Sequence, residues 1–532
     1  VQGEPSRRAF RLGVAGASAV AAAFLVARLH AWPPHEDEAL ALLVGSKPLD
    51  ELLSTVLDVR GGAPLHFLLV HAVTAISPTH TAVRLLSVVL AVASIPAGAA
   101  LVARLADRRT GLVAAVLVSA SWVTLFHGIY ARMYGLFALT SALSFLALLR
   151  AIDRNGRGSW ALWAVAAYAT LASHQYGVFV LGAQVAYVAV LRWKGRARLL
   201  PGGIALGAVL LAAIPLWRSN LVLASRFDLG VGDGGTELGG PLPVLEYLRS
   251  ALGDFVAGWT ILFVVVAGLA GVGLVVLART RPASALLAAL VVAVPAAGLA
   301  LARVGGGAAA PETRHLIFVL PFFAMLVAAG LVRVTRLTGS YATGALAFGL
   351  TLLVASQVAW GWHQTPALYV GEPEERKELR ELAEEWLART SRPDDVLFAY
   401  DPLVLGTRER GGVLGNTVVP RADPKLALDA LLDAPQPLGR GVWILDASDG
   451  ARIVGNHFEP LAIETRSPGA GFEAKAFGPF LIVRTTEPTV TPGAFLRDTE
   501  RVQQMGLEMG VSGSGLHLET ARVALEELEN AG

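Results

Sequence analysis

The chain has 532 residues, 54% of them hydrophobic and 16% charged, and its mean hydropathy is +0.55. A soluble domain carries about 25% charged residues, so this composition excludes a soluble globular protein and points to a polytopic membrane protein. A formal net charge of +2 gives no reason to expect a nucleic-acid partner, and zero cysteines exclude disulfides, thiolate metal sites and a cysteine nucleophile.

Ser6-Arg7-Arg8-Ala9-Phe10 precedes the first apolar run and resembles a twin-arginine export signal. No clear small-x-small cleavage site follows before Trp32 and many more spans come later, so it reads as a cytoplasmic anchor for the first span. Apolar runs able to cross about 30 Å of hydrocarbon then occur at Leu12 to His30, Val83 to Val102, Gly111 to Phe126, Tyr134 to Leu149, Trp160 to Ala172 and Gly177 to Leu191. Others lie at Pro201 to Trp217, Phe255 to Leu277, Ala283 to Leu301, Leu316 to Leu331 and Tyr341 to Trp360, giving about eleven spans. Pro64 to Ser77 is apolar but spans only roughly 21 Å at helical rise, and is read as an external juxtamembrane or re-entrant helix.

Basic residues gather at every second connection: Arg7/Arg8/Arg11, Arg104/Arg108/Arg109, Arg150/Arg154/Arg157, Arg192/Lys194/Arg196/Arg198, Arg279/Arg281 and Arg333/Arg336. The positive-inside rule places these in the cytoplasm and the alternate corners outside a plasma membrane. From about Gly361 the composition turns polar. Glu374 to Arg389 reads as an exposed helix, Asp395 to Tyr400, Gly441 to Asp446 and Phe477 to Thr485 as strands, and Leu518 to Glu529 as a closing helix. The expected organisation is a membrane domain over 1–360, with an acidic loop over 32–82, followed by a small soluble α/β domain over 361–532 on the extracytoplasmic side. The glycine-rich stretch from Gly230 to Gly240 reads as a flexible loop.

The chemistry centres on Trp32-Pro33-Pro34-His35-Glu36-Asp37-Glu38-Ala39-Leu40, with three acids directly after the first span. Carboxylates at the lip of a bilayer are costly unless they pair, bind a cation or handle a proton. Asp37 and Glu38 point to different sides in either helix or strand, so they suit two tasks, one as base and one to hold a cation or orient a hydroxyl. The other external corners carry complementary groups: Tyr130-Ala131-Arg132-Met133-Tyr134, His174-Gln175-Tyr176 and Arg314-His315. Arginine is suited to gripping phosphate, and tyrosine and arginine also serve as interfacial anchors. His66 and His71 read more readily as core or interfacial histidines.

The order of these motifs, with Gly62-Ala63-Pro64-Leu65-His66-Phe67, Val83-Arg84-Leu85-Leu86-Ser87 and Arg314-His315-Leu316 ahead of Pro321, resembles the polyprenyl-phosphate-sugar-dependent GT-C glycosyltransferases. That superfamily includes the protein O-mannosyltransferases and the lipid A aminoarabinose transferase, and the resemblance covers about residues 10 to 335. It implies a GT-C fold of about eleven transmembrane helices with external juxtamembrane helices. The implied activity is a cell-envelope glycosyltransferase that moves a hexosyl or pentosyl group, with inversion, from a polyprenyl-phosphate donor to a glycan, lipid or protein hydroxyl. The catalytic residues it implies are Asp37 as base with Glu38 as partner. Donor phosphate and sugar would meet Glu36, His66, Arg132, Tyr134, His174, Tyr176, Arg314 and His315. The one cofactor it raises is a divalent metal ion, against which Tyr130 stands where family members carry a glutamate. A lipid or glycan transporter is the alternative; ionisable groups in its class sit within the spans, whereas here they collect on one outer face. A scaffold or sensor whose soluble tail does the work is a third reading, for which eleven spans are more than an anchor needs.

Overall fold

In a computed structural model, the described residues are 4–31, 33–194, 200–227, 241–258, 260–304, 312–421, 423–447 and 462–531. Trp32, Arg196, Arg198, the Gly230 to Gly240 loop and residues 305–311 lie outside them. The chain is a multi-pass, mostly helical membrane protein. Among the described residues each of the eleven apolar runs is largely helical, but by length and apolar composition five helices qualify as spans, or seven if two bent pairs are each counted as one. The expected count of eleven is therefore not reached on these criteria.

Each bent pair is accommodated differently. The run read as one span from Gly111 to Phe126 is two helices, Arg108–Ala120 and Trp122–Ile129, meeting at 52°. Ser121 between them is extended and its hydroxyl donates to the Asp254 carbonyl at 3.2 Å, while the Trp122 N–H freed by the break donates to the Gln357 side chain at 3.0 Å. Buried backbone in a bilayer needs such partners. The Pro201 to Trp217 run also breaks, into Leu200–Ala212 and Ile214–Phe227 at 51°, with Pro215 in the first turn of the second helix.

His80–Leu105 is the central helix of the bundle. Against it pack Arg7–Ala27, Arg108–Ala120, Tyr134–Arg154 and Leu320–Thr335. Its N-terminal end meets two short helices, Glu36–Gly45 and Pro64–Thr74, the second shorter than the apolar run that suggested it. The Gly45 carbonyl accepts from His71 Nδ1 at 3.0 Å and Thr74 Oγ1 at 3.2 Å, so His71 ties these two helices together.

Among the described residues five strands are present, between residues 396 and 485. They are β1 (Val396–Phe398), β2 (Thr417–Val419), β3 (Gly441–Asp446), β4 (Phe472–Phe477) and β5 (Phe480–Thr485). The sheet order is β2-β1-β3-β5-β4, with β1 parallel to β2 and β3, and β5 antiparallel to β3 and β4. Both faces of β3 are buried, which is why it reads as a continuous apolar run. Trp443 and Leu445 face a core with Phe495, Leu496 and Val502, and Val442 and Ile444 face one with Ala383, Leu387 and Leu403. The strand expected over Phe477 to Thr485 is β5, shorter by three residues at its start, and it forms a hairpin with the unexpected β4 before it. Gly478, at φ +59°, makes its turn, a conformation glycine adopts freely.

Candidate active site

The acids are organised by the first turn of Glu36–Gly45. His35 caps it: its Nδ1 accepts from the Asp37 N–H at 3.1 Å, and Glu38 Oε2 accepts from the His35 N–H at 3.1 Å, a reciprocal capping box. Three carboxylates in the first turn also suit the positive end of the helix dipole.

This turn splits the acids into three environments. Glu38 is fully buried. Arg84 grips both its oxygens, Nε to Oε1 at 2.9 Å and Nη2 to Oε2 at 2.7 Å, and the Ala131 N–H donates to Oε1 at 3.0 Å. His80 Nε2 lies 3.2 Å from the same oxygen. Arg84 also donates to the Leu29 carbonyl at 2.7 Å, so the pair joins the first span, the acid helix, the central helix and the Tyr130 corner. Glu38 has no oxygen left for a substrate, unlike the cation-binding or hydroxyl-orienting partner expected from the sequence.

Asp37 turns the other way and stays partly exposed. Its Oδ2 accepts from the Tyr130 hydroxyl at 2.7 Å, and Arg132 Nη1 lies 3.2 Å from Oδ1. Burial pushes this carboxyl up, but Arg132, His35, Arg314 and the Tyr130 hydroxyl outweigh it and hold Asp37 well below the usual carboxylate range. Glu36 projects away from both and pairs with Arg421, which precedes the Pro424–Asp433 helix of the C-terminal part.

The remaining expected residues converge beside Asp37. The Arg314 guanidinium lies 5.4 Å from the Tyr134 ring centroid. His315 is 6.1 Å from Tyr134, 5.4 Å from His174 and 5.3 Å from Tyr176, ring to ring. His66 is buried against Phe67, close to the Ala131 backbone. Among the described residues, Arg132 Nε, Arg314 Nε, His174 Nε2 and His315 Nδ1 are buried without a hydrogen-bond partner. Unpaired buried polar atoms are uncommon, and these four, on Arg132 beside Asp37 and on the Arg314, His174 and His315 side chains grouped about Tyr134, form a surface suited to an anionic, hydroxyl-rich ligand.

Three residues were given no role from sequence. Arg84 is a charge inside an apolar run, which is itself a signal. Tyr130 stands where the resemblance expects an acid, and its hydroxyl reaches Asp37. Arg421 carries no motif, and its relation to Glu36 arises across 385 positions of sequence.

No protein-family model matches the chain, and a search of characterised proteins finds no relative. Solved structures do match. The Archaeoglobus fulgidus oligosaccharyltransferase, in a structure with Zn and sulfate, aligns with a TM-score of 0.50 at 11% identity, over 81% of this chain and 68% of its own. The chain has the GT-C fold. ArnT from Cupriavidus metallidurans, apo and bound to undecaprenyl phosphate, aligns over 88% of this chain and 97% of ArnT, at 13% and 12% identity and TM-scores of 0.49.

The donors at this site fit a divalent metal poorly. Among the described residues no group of three or more histidine, aspartate or glutamate side chains could hold an ion. Asp37 is engaged by Arg132 and Glu38 by Arg84, so a divalent cation would have to displace a guanidinium from either carboxylate.

Proposed function

We propose that this protein is a membrane glycosyltransferase that moves a sugar from a polyprenyl-phosphate donor to an acceptor hydroxyl with inversion, using Asp37 as general base. Residues 1–360 form the catalytic membrane part and 361–532 a small α/β domain, both working faces being extracytoplasmic. The observation that carries this reading is one partly exposed carboxylate, Asp37, paired with Arg132, with Arg314 held nearby by Glu312 through Nη2 at 2.6 Å; both arginines keep a buried Nε without a hydrogen-bond partner.

In the reaction, Asp37 takes the proton of the acceptor hydroxyl as its oxygen attacks the anomeric carbon. The bond from that carbon to the phosphate oxygen breaks, and its electron pair leaves with the polyprenyl phosphate. Arg132 and Arg314 stabilise the charge on the departing phosphate. Tyr134, Tyr176, His174 and His315 line the sugar, and His66 supports the Arg132 corner from below. Glu38 acts as a positioning residue, holding the acid turn against Arg84, and Glu36 meets the C-terminal part rather than the donor.

A carboxylate held as low as Asp37 is a weak base, since catalysis favours a base whose pKa lies near the working pH. The donor resolves this. Its phosphate takes over the guanidiniums that balance Asp37, and the carboxyl rises toward the working range only when donor is present. Proton abstraction is thereby tied to donor occupancy, and general-base help of this kind is typically worth about 10² to 10⁴ in rate.

The test offers purified protein in nanodiscs a panel of polyprenyl-phosphate sugars with acceptor hydroxyls, with and without EDTA, and follows release of polyprenyl phosphate. Release with one donor, matched by glycosylated acceptor, is expected. Binding of every donor with no cleavage of any would contradict the proposal and favour transport.

A further inference from the structure

The His80–Leu105 helix is 26 residues long, about 39 Å at helical rise, and carries the acid site at one end. At its other end lies a recess of about 70 Å³ between the Arg108–Ala120, Thr260–Thr280 and Leu320–Thr335 helices, lined by Asp107, Thr110, Thr280, Arg281, Arg333 and Arg336. By the same measure a water needs about 10 to 15 Å³, so the recess has room for a small oxyanion with solvent.

Its charge is unbalanced. Neighbouring arginines have acidic partners, Arg104 with Asp153 and Arg108 with Glu4. Arg281 only reaches the Arg104 carbonyl at 3.5 Å, and Arg333 and Arg336 make no hydrogen bond or ion pair among the described residues. The single acid in the lining, Asp107, caps its own helix by accepting from the Thr110 N–H at 2.8 Å. Three guanidiniums and two hydroxyls thus face one carboxylate that is already engaged.

The surroundings favour a lipid over a free anion. Leu274 and Val275, just before the lining residue Val276, are exposed, as are Val334 and Leu337 beside Arg333 and Arg336. Tyr341 is 78% exposed, the position of an interfacial anchor. An acyl chain can lie along this apolar face while its headgroup enters the recess, and basic pockets between membrane helices suit such headgroups. We propose that the recess binds the phosphate of an anionic phospholipid headgroup through Arg281, Arg333 and Arg336, at the end of the bundle opposite the acid site.

The test titrates delipidated full-length protein in neutral detergent with short-chain phosphatidylglycerol, phosphatidylcholine of equal chain length, or inorganic phosphate, reading binding by native mass spectrometry and thermal shift. Phosphatidylglycerol is expected to bind about tenfold or more tightly than phosphatidylcholine, and R333Q/R336Q to remove that preference. Arg8→Gln changes an exposed arginine at the same end but outside the recess, and is expected to leave the preference intact. Should the double variant not purify, R336Q alone, at an exposed position, is expected to reduce it. Equal binding of the two lipids, or a preference that survives in the recess variants or disappears equally with Arg8→Gln, overturns the site. Inorganic phosphate that shifts the protein as far as phosphatidylglycerol at equal concentration overturns the lipid as its source.

Discussion

Asp37 and Glu38 are adjacent in sequence and opposite in character, because one capped turn buries Glu38 and leaves Asp37 at the surface of the cleft. If the donor phosphate relieves Asp37 of its arginines, the acid limb of kcat, which reports the enzyme–donor complex, lies at higher pH than that of kcat/KM, which reports the free enzyme. Superimposable limbs would contradict the coupling. Breaking the buried pair at Arg84 has a different signature: Arg84→Met strands Glu38 without its guanidinium and is expected to cost about 3 to 5 kcal/mol of stability, measured as a fall in unfolding midpoint. The cleft was legible where acids, tyrosines, arginines and histidines collect at the ends of apolar runs. Which acid is buried was not, because the cap is a histidine rather than the usual serine, threonine, aspartate or asparagine, and because Arg84 meets Glu38 only once the helices pack.

Helices are placed by their apolar runs, and their contacts are set by small residues that the runs do not reveal. A Cβ at Gly273 would lie 1.9 Å from the Leu326 carbonyl oxygen, and one at Gly330 would lie 1.9 Å from that of Leu269. The Thr260–Thr280 and Leu320–Thr335 helices therefore cross backbone against backbone, as small residues permit in membranes. Gly330→Ala forces them apart and is expected to lower the unfolding midpoint, whereas Gly344→Ala, with open space around its Cβ, is expected to be neutral. Helix existence was legible from apolarity, and Pro215 marks the break near Ala213, but the break at Ser121 was not legible, since the groups it frees are met by distant partners such as Gln357. In the C-terminal part, β3 was legible as an unbroken apolar run. Strand β4 was not, because its Phe472-Glu-Ala-Lys-Ala-Phe477 pattern is half exposed and acquires meaning only through pairing with β5.

At the scale of the whole molecule, the C-terminal part is built into the acid site. Leu405 packs with Ala39, Leu42, Val83 and Ala131, Leu43 packs with Leu403 and Val404, and Glu409 accepts the His80 N–H at 3.1 Å. Arg421 closes the contact on Glu36. Arg421→Glu is expected to slow sugar transfer by orienting the acid turn less well, and the exchanged pair Glu36→Arg with Arg421→Glu to recover much of the loss; no recovery would show that the pairing is incidental. Asp401 lies at the same junction. Burial, with Asp446 and Glu36 adding to it against the Leu403 N–H and Arg421, pushes its carboxyl up to about 7. Folded protein thus keeps a proton there that the unfolded chain releases near pH 4. Stability from this group falls as pH rises from about 4 to about 7 and is then level, so Asp401→Asn is expected to flatten the decline in unfolding midpoint across that window. The central claim, that Asp37 is the base of a sugar transfer, is tested most directly by comparing wild type with Asp37→Asn for release of polyprenyl phosphate, at matched donor binding. A rate lower by about 10² or more with donor binding retained is the expected result, and transfer at the wild-type rate by a protein that binds donor equally well would contradict the account.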